Sequence, residues 1–408
     1  MKIILISQYF FPEQFSNNSI AKNMVERGHE VEVVTCVPNY PQGVFFEGYS
    51  NTQKRMEVWE SIRILRARTA ARGTRAWHLA LNYLTYPVTA SYTLWRKGSK
   101  DADVSFVSMP SPLFQAFAGV FLKRIRKVPT VYWVQDIWPE SAVFTLGLKA
   151  PWMVKTLEAI CGWLYRRADL ILVQSEAFPP MIERFGVPAE KIRVLSNTAP
   201  DTYSVMAPSE APEQGKLVPA SGFKIMFAGN IGESQNFDML IDAADRLRTH
   251  DITWVIIGSG RDAARAQSRI ADLGLEGKFQ FLGRFPEEDM PKFFAHADAL
   301  IVSLKDSAIF RLTVPYKVQC YMASGKPIIA CIRGEGARVV EASGAGFAAP
   351  EISVDGICEA VLKMAGTSAA QRAVLGQNAR QYFDNTYAPD IIYGNLETWL
   401  LEAARTKP

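Results

Sequence analysis

The stretch FKIMFAGNIGESQN, Phe223–Asn236, and the stretch KIILISQYFFPEQ, Lys2–Gln14, are built alike. Each is a short apolar run that ends in a turn of glycine, proline and polar residues, and an amphipathic segment follows. A second apolar run closes each unit, at Arg27–Thr35 (RGHEVEVVT) and at Ile252–Gly260 (ITWVIIGSG). This pattern predicts strand–helix–strand units, whose strands lie parallel in a sheet. Because ligands bind beyond the carboxyl ends of parallel strands, we expect two α/β domains whose ligand crevices face each other.

The composition is that of a folded protein with two domains. A chain of 408 residues exceeds what one hydrophobic core usually organises. Its five cysteines are odd in number and form no CxxC pair, which argues against a disulfide framework and against a zinc site. We therefore expect reduced thiols in a cytoplasmic protein, and no signal peptide, since an apolar strand begins at once. The cysteines are Cys36, Cys161, Cys320, Cys331 and Cys358.

Proline marks the expected boundary between the domains. The stretch 197–221 contains Pro200, Pro208, Pro212 and Pro219 and shows little hydrophobic periodicity. We predict an N-terminal domain at 1–196, a linker at 197–221 and a C-terminal domain at 222–386. The last stretch, 387–408, has a helical pattern, and we expect it to pack back on the first domain.

Positive charge is concentrated in the first domain. The window from Ser61 to Lys100 holds eight Lys and Arg residues and no acid, although the net charge of the chain is only +4. A second basic cluster lies at 123–127. Such clusters attract nucleic acid or an anionic membrane leaflet. We expect the membrane and no nucleic acid. The basic residues of the window are Arg63, Arg66, Arg68, Arg72, Arg75, Arg96, Lys97 and Lys100.

Within this window, Trp77–Trp95 contains no charged residue apart from the possible charge of His78. Its 19 residues approach the length of a membrane span, but polar side chains and a central Pro87 make it a poor one. Three interpretations remain: one or two buried helices, a segment in the membrane interface, and a transmembrane helix. The aromatic residues and basic flanks suit the interface.

An Ala-Asp pair precedes three apolar runs, at 102–103, 168–169 and 297–298. We interpret these pairs as joints between a helix and a strand. Asp101 and Asp103 would otherwise form a metal-binding DxD motif, so the repetition argues against a metal there. The four histidines show neither metal-ligand spacing nor a Ser/His/Asp set.

Eight motifs together resemble one enzyme family. They span most of the chain in order: YFFPEQF (Tyr9–Phe15), RGHEVEVVT (Arg27–Thr35), VPNYPQG (Val37–Gly43), VQDIWPES (Val134–Ser141), FAGNIGESQN (Phe227–Asn236), IIGSG (Ile256–Gly260), FLGRFP (Phe281–Pro286) and VPYKVQCYMASGKPII (Val314–Ile329). The chain resembles the retaining glycosyltransferases of family four, of the GT-B type, in which two Rossmann-like domains with parallel sheets face each other across a cleft. Within them it is most similar to the bacterial L-fucosamine (N-acetylfucosamine) transferase-like branch, which assembles surface polysaccharides.

The resemblance implies that each domain binds a different substrate. The C-terminal domain would bind a nucleotide-sugar, UDP-linked, and the N-terminal domain a lipid-linked acceptor such as a polyprenyl-diphosphate glycan. Transfer would proceed with retention of configuration, and without a bound metal or another cofactor. The enzyme would then be cytoplasmic and peripheral at the inner face of the membrane.

For the donor, the resemblance points first to the turn at Gly229, Asn230 and Gln235. Glycine after a strand lets the backbone approach a diphosphate, and the next helix adds its positive N-terminus. The family usually carries an arginine near Asn230 and a lysine near Gln235, whereas this chain has two neutral amides. A diphosphate that leaves without a metal needs cations. Lys317 is the first candidate for that charge, and Arg284 and Arg311 follow.

Other donor positions are less distinctive. Gly258 and Gly260 would let the chain turn beside the nucleotide, and Glu335 would touch sugar hydroxyls unless it is only an exposed loop acid. The family often has two glutamates eight residues apart, the later one holding the ribose. Those positions fall on Leu312 and Cys320, so neither role is carried over.

For the acceptor, the resemblance points to polar residues that follow strands of the first domain. Asp136 and Glu13 are the candidate catalytic or acceptor-orienting carboxylates, and Asn39 and Gln135 are candidate acceptor ligands. Asp136 has a plainer interpretation as the N-cap of a helix.

Three other function classes compete with a glycosyltransferase. A nucleotide-sugar 2-epimerase shares the architecture but would not need a basic, aromatic acceptor domain. A non-catalytic nucleotide-binding scaffold would explain the missing glutamates and the missing Arg/Lys pair. A nicotinamide dehydrogenase is disfavoured because neither opening contains GxGxxG.

Overall fold

The computed structural model describes residues 1–73, 75–147 and 150–407. The chain divides into two compact units. The first consists of Met1–Ser196 together with Tyr393–Pro408, and the second is Asn197–Ile392.

The first unit is built on one eight-stranded sheet. Its strands are β1 (Lys2–Ile6), β2 (Glu30–Cys36), β3 (Met56–Trp59), β4 (Ile62–Ala67), β5 (Val104–Met109), β6 (Thr130–Val134), β7 (Leu170–Val173) and β8 (Ile192–Val194). The order is β3-β4-β2-β1-β5-β6-β7-β8, and every pair is parallel except β3 with β4. Since the order reverses at β1, a ligand crevice is expected beyond the carboxyl ends of β1 and β5.

Helices of the first unit connect these strands. They are α1 (Ser16–Glu26), α2 (Ala76–Lys97), α3 (Ala116–Arg126), α4 (Glu140–Leu146), α5 (Pro151–Tyr165) and α6 (Pro179–Glu183). All residues of β5 and β6 are buried. This burial explains the continuous apolar runs, because parallel strands are covered on both faces.

The second unit is a six-stranded parallel sheet with its own helices. Its strands are β9 (Phe223–Ala228), β10 (Ile252–Ile257), β11 (Phe279–Gly283), β12 (Ala299–Ser303), β13 (Ile328–Cys331) and β14 (Gly346–Ala348), in the order β11-β10-β9-β12-β13-β14. Its helices are α7 (Pro212–Gly215), α8 (Phe237–Arg246), α9 (Ala263–Asp272), α10 (Met290–Phe294), α11 (Ala308–Leu312), α12 (Tyr316–Ala323), α13 (Glu335–Ala342), α14 (Val354–Ala365) and α15 (Ala369–Thr386); α16 (Pro389–Ala404) ends the chain. The order reverses at β9, which mirrors β1 of the first sheet. The predicted class, two Rossmann-like α/β domains, is confirmed.

The three Ala-Asp joints have the same geometry. Asp103, Asp169 and Asp298 each accept a hydrogen bond from the backbone N–H at the start of the neighbouring strand, at 2.7, 2.8 and 2.8 Å. Each also donates its own N–H to the carbonyl of that same residue, at 2.9 to 3.0 Å. The interpretation as joints is confirmed, and Asp103 is occupied in the fold.

The stretch predicted as a linker lies in the second unit. Although it is rich in proline, its apolar residues are packed: Tyr203 and Val218 are buried in a hydrophobic cluster of that unit. Its carbonyls are bound as well, since Gln280 Nε2 donates to Leu217 at 2.6 Å. In the first unit, Glu397 of α16 accepts from Arg27 at 3.0 Å and lies 2.7 Å from Nε2 of His29.

The stretch Trp77–Trp95 is neither a pair of helices nor fully buried. It forms the continuous helix α2, which includes Pro87 and has one buried and one exposed face. Among the helices of the described residues, none combines the length and the apolar character that crossing a bilayer requires.

The acid-free window does not form one basic surface either. Arg63 is bound to Glu32 at 2.6 Å, and the fully buried Arg66 is bound to Glu57. Glu32 and Glu57 both precede the window in the sequence, so a count of charges within the window overestimates the free positive charge.

Candidate functional site

The turns after β9 and β10 pack backbone against backbone. Gly229 and Gly258 have φ of +132° and +136°, a region that favours glycine. A Cβ on Gly258 would lie 1.9 Å from the carbonyl oxygen of Gly229, and a Cβ on Gly260 would lie 2.1 Å from that of Ile231. The N–H of Gly229 is already bound to Ile257 at 2.8 Å. These glycines therefore serve the close approach of the two turns, and side chains that border them must supply the chemistry.

Lys317 is the side chain that lies over this turn. Its Nζ donates a 2.6 Å hydrogen bond to Oε1 of Gln235 and lies 3.6 Å from the ring centroid of Phe227. A Cβ on Gly229 would lie 2.7 Å from Cε of Lys317. Burial lowers the pKa of Lys317 to about 7. An anion bound at the turn would restore the ammonium form, because an opposite charge favours it.

One of the two neutral amides of the turn thus has a cation beside it. Gln235 contacts Lys317 directly, whereas Asn230 is exposed beside Gly232. A second lysine, Lys305, holds the turn from β12: its N–H donates to Ser234 at 2.8 Å and its Nζ to Glu233 at 2.8 Å. Lys305 has no signal in the sequence, because only the pairing of β9 with β12 brings it to this turn.

The remaining donor candidates are placed differently. Arg284 is exposed on the loop after β11. Glu335 is not an exposed loop acid: it begins α13, is 8% exposed, and binds Arg338 through both oxygens at 2.6 and 2.9 Å. Arg311 is bound to Asp306 at 2.6 Å through two nitrogens.

Cys320 occupies an apolar environment, in place of the glutamate that the family often has. It is 4% exposed and belongs to a hydrophobic cluster of the second unit. Burial raises the pKa of its thiol, and Tyr316 and Tyr203 contact it. This position therefore offers no carboxylate for a ribose.

In the first unit, Glu13 binds the loop after β2. Its Oε1 accepts the N–H groups of Asn39 and Tyr40, both at 2.7 Å. Glu13 is 4% exposed, and burial raises its pKa to about 7 although these hydrogen bonds oppose the shift. Asn39 is fully buried, donates to the carbonyl of Val37 at 2.7 Å and accepts from the N–H of Arg72 at 3.0 Å. The candidates Glu13 and Asn39 are thus brought together.

Arg72 and Tyr9 complete this group, and neither was singled out as a site residue. The guanidinium of Arg72 donates to the hydroxyl of Tyr9 at 3.0 Å and lies 5.2 Å from the ring centroid of Tyr40. Their signal in the sequence is weak, because Arg72 lies 63 residues beyond Tyr9.

Gln135 and Asp136 follow β6, at the same edge of the sheet. Nε2 of Gln135 donates to the hydroxyl of Ser108, at the end of β5, at 3.0 Å. Asp136 accepts from the hydroxyl of Ser141. The plainer interpretation of Asp136 as the N-cap of a helix is wrong. The next helix, α4, begins at Glu140, and no side chain caps it. Burial raises the pKa of Asp136, and the hydrogen bond from Ser141 opposes this shift.

A buried amide pair links this edge to α2. Nε2 of Gln8, just beyond β1, donates to Oδ1 of Asn82 at 2.6 Å, and its N–H donates to Oε1 of Gln115 at 2.8 Å. Nδ2 of Asn82 donates to the carbonyl of Ala70 at 2.7 Å. Among the residues that the structure describes, no group of three or more His, Cys, Asp or Glu side chains is placed to hold a metal ion.

Comparison with known proteins gives the same picture in sequence and in structure. Residues 16–198 match the family described as "Glycosyl transferase 4-like domain", and residues 222–366 match "Glycosyl transferases group 1". The putative colanic acid biosynthesis glycosyl transferase WcaI of Escherichia coli K12 is 26% identical over 344 residues, which cover 80% of this chain and 82% of that protein. The probable glycosyltransferase WbjE of Pseudomonas aeruginosa is 25% identical, covering 61% and 64%.

Solved structures share the fold over nearly the whole chain. Sucrose-phosphate synthase from Thermosynechococcus elongatus has a TM-score of 0.74 at 15% identity, covering 98% of this chain and 99% of that one. Anabaena Alr3699/HepE in complex with UDP has a TM-score of 0.71 at 18% identity, covering 98% and 100%. With each half of the chain matched by its own glycosyltransferase family, the protein is a glycosyltransferase of the GT-B type, in which a glycosyl transferase 4-like domain precedes a group 1 domain.

Proposed function

We propose that this chain transfers a sugar, with retention of configuration, from a UDP-linked nucleotide-sugar to a lipid-linked acceptor during the assembly of a surface polysaccharide. The donor sugar is N-acetylfucosamine or a similar hexosyl group, and the acceptor is a polyprenyl-diphosphate glycan. The work takes place at the inner, anionic face of the cytoplasmic membrane. The resemblance of the eight motifs supports this assignment, as do the polysaccharide pathway named for WcaI and the UDP held by the Anabaena protein.

One observation supports the proposed binding of a nucleotide-sugar: Lys317 lies over the glycine turn that follows β9. The ammonium contacts the amide of Gln235 in the turn that follows β9, and the N-terminus of α8 comes directly after this turn. The turn lies at the carboxyl end of the strand, the edge at which α/β folds bind nucleotides, and the positive end of a helix favours phosphate there. A diphosphate would favour the ammonium form of Lys317, whereas a neutral ligand would not.

In the proposed step, the acceptor hydroxyl attacks the anomeric carbon from the face on which the diphosphate leaves. The bond between that carbon and the β-phosphate oxygen breaks, and the same phosphate oxygen takes the proton of the hydroxyl. Lys317 stabilises the negative charge that grows on the leaving group, which is the kind of interaction that contributes most to catalysis. Because Lys317 supplies this charge, we propose that the reaction needs neither a metal nor another cofactor.

The first unit supplies the groups that orient the acceptor. Glu13 is a buried carboxylate and Asp136 a half-buried one, and burial raises the pKa of both, as is common for carboxyl groups at functional sites. Asp136 is held by Ser141, and Glu13 holds the loop of Asn39. We assign Asp136, with Gln135, to the acceptor hydroxyl, and we assign Glu13 and Asn39 to the shape of the acceptor-binding loop.

The test is a transfer assay with the purified chain. UDP-linked hexoses and N-acetylaminosugars are each offered with polyprenyl-diphosphate glycans in vesicles, with and without EDTA, and the anomeric configuration of the product is read by NMR. The proposal expects an EDTA-resistant product with the configuration of the donor. Release of the free 2-epimer of the donor, without any glycolipid, would instead identify an epimerase.

A further inference from the structure

The exposed surface of α2 is apolar along its whole length. From Trp77 to Trp95, each exposed residue is apolar or aromatic. The large ones are Trp77, Leu81, Leu84, Val88, Tyr92 and Trp95, with exposed fractions from 44% to 70%. They recur every three or four residues, so they form one stripe on the helix, about 27 Å long at 1.5 Å per residue. We call these six residues the α2 stripe.

The opposite face of α2 is fixed to the first unit, so the stripe is presented rigidly. Tyr86 and Leu94 are fully buried, and the hydroxyl of Tyr86 donates to the carbonyl of Val34 in β2 at 2.7 Å. The last turn is capped by Arg126 of α3, which donates to the carbonyls of Leu94 and Ser99 at 2.7 and 2.6 Å. A continuous exposed apolar surface of this length on a folded domain marks an interaction site.

The ends of the stripe carry positive charge and aromatic rings. Arg75 is exposed at its start, and Arg96 and Lys97 are exposed at its end. Within the described part of the chain, these three residues form no salt bridge. Trp77 and Trp95 stand at the two ends, where indole rings suit the boundary between headgroups and acyl chains. Apolar side chains flanked by Trp and basic residues are typical of a helix that lies in a membrane interface.

We propose that the α2 stripe inserts into the headgroup region of a phospholipid bilayer, with α2 lying in the plane of the membrane. A second copy of the chain is a poorer occupant, because two acid-free helices would bring like charges together at both ends. The inference deepens the proposed function and rests on it for its purpose, since an enzyme that uses lipid-linked acceptors must meet the bilayer.

The α2 stripe would bind a membrane mainly through apolar area, whereas the basic window would bind it through charge. Arg63 and Arg66 of that window are already bound to Glu32 and Glu57, so apolar area carries most of the binding. Binding should therefore persist on neutral vesicles, with the basic ends adding to it on anionic ones. High salt should remove only the second part, because screening acts on exposed charges.

The same helix reaches the candidate acceptor site. Asn82, on the buried face of α2, accepts from Gln8 just beyond β1, at the edge where Glu13 and Asn39 lie. Docking through the α2 stripe would thus bring this edge close to the lipid, which is where the diphosphate of a polyprenyl carrier is found.

The experiment is vesicle co-sedimentation of the full chain with phosphatidylcholine alone and mixed with phosphatidylglycerol. Val88→Glu and Val88→Ser test the stripe, and Val374→Glu is the matched control, since Val374 is also a helical valine and is 53% exposed against 70% for Val88. Burial of one such side chain is worth roughly a tenfold change in partitioning. We expect both Val88 variants to lose about tenfold or more on both vesicle types and the control to change less than twofold, with thermal unfolding unchanged in all three.

Two outcomes would overturn the inference. One is equal vesicle binding by wild type and both Val88 variants. The other is a wild-type dimer that Val88→Glu converts to a monomer in sedimentation velocity, with vesicle binding unaltered, since the stripe would then be an interface between copies. The assay contains neither donor nor acceptor, so a chain that binds vesicles through the stripe but transfers no sugar would refute only the proposed function.

Discussion

Nζ of Lys317 donates a 2.6 Å hydrogen bond to Oε1 of Gln235, although 82 residues separate them. In the wider family that this chain resembles, a lysine is usual near Gln235 itself. Here the ammonium reaches the same turn from α12, which comes after β12 and α11 in the sequence. The charge expected beside a diphosphate is therefore present, but another element supplies it.

Replacement of Lys317 by methionine should remove donor use while the fold survives. Methionine has a similar length and no charge, so it also relieves the cost of burying an ammonium. We expect kcat/KM for the nucleotide-sugar to fall by about 10²–10³, the usual cost of removing one group that stabilises charge in the transition state. Lys216→Met, at a solvent-exposed lysine, is the control and should keep wild-type turnover. Wild-type turnover in Lys317→Met would show that Lys317 does not stabilise the leaving diphosphate.

Nucleotide binding should take up a proton above neutral pH. Burial lowers the pKa of Lys317 to about 7 from the 10.5 of an ordinary lysine. A diphosphate favours the ammonium, so between pH 7.5 and 9 binding requires protonation, and Kd for UDP should rise by up to about tenfold per pH unit. Calorimetry in buffers with different ionisation enthalpies measures this uptake. The same pH dependence in Lys317→Met would contradict the assignment.

The same shift has a consequence for stability. Between pH 7 and 10 the unfolded chain holds a proton on Lys317 that the folded chain has lost, so this residue makes the free energy of unfolding rise with pH. The contribution reaches its full size only above the unfolded pKa. Lys317→Met should flatten the slope over this interval.

A methyl group at Gly258 should destabilise the second unit. A Cβ there would lie 1.9 Å from the carbonyl oxygen of Gly229, in a backbone conformation with φ of +136°. Strain and overlap together should cost about 2–4 kcal/mol for Gly258→Ala and should abolish UDP binding. Gly277→Ala is the control, because nothing lies within 4 Å of its Cβ position. Chemical denaturation of both variants gives the comparison, and equal midpoints would speak against the close packing of the two turns.

Glu13→Gln should keep the fold and change its response to pH. Burial raises the pKa of Glu13 to about 7 from 4.5, so between these values the folded chain binds the extra proton and the free energy of unfolding falls as pH rises. Glutamine can still accept the N–H groups of Asn39 and Tyr40 but does not titrate. In the variant the free energy of unfolding should no longer fall over this pH range; in wild type the fall is at most about 3 kcal/mol. Melting temperatures at pH 5, 6 and 7 measure it.

The outcome for activity separates two roles of Glu13. If it only shapes the loop of Asn39, Glu13→Gln should retain transfer within about threefold of wild type, whereas Asp136→Asn should lose it. Glu47→Gln, at an exposed carboxylate, is the control for the loss of one charge. A loss in Glu13→Gln as deep as that in Asp136→Asn would place both carboxylates at the reacting hydroxyl.

Local signals in the sequence predicted much of this fold. Apolar runs followed by glycine or polar turns located the strand ends, because parallel strands are buried on both faces and their loops are not. Repetition alone predicts the joints at the Ala-Asp pairs correctly, since Asp103, Asp169 and Asp298 each bind an N–H near the start of a neighbouring strand.

The side-chain roles that the sequence does not predict depend on contacts between separate secondary-structure elements. The pairing of Arg66 with Glu57 required the antiparallel β3–β4 hairpin, and the role of Lys305 required the contact of β9 with β12. The stretch Trp77–Trp95 leaves three interpretations open, because polar residues such as Thr89 and Ser91 donate to carbonyls of the same helix and the apolar residues are divided between two faces. Glu335 was assigned to a loop because its salt bridge with Arg338 appears only once α13 is formed.

The most direct test of the central claim is a nucleotide panel measured by thermal shift. UDP, GDP, ADP, dTDP and CMP are added to wild type and to Lys317→Met, each with and without EDTA. At a hundred times its dissociation constant, a ligand stabilises the folded chain by about 2.7 kcal/mol. We expect a shift with UDP that resists EDTA and disappears in Lys317→Met. A wild-type chain that responds to no nucleotide, or a shift that survives in Lys317→Met, would rule out the proposed donor site.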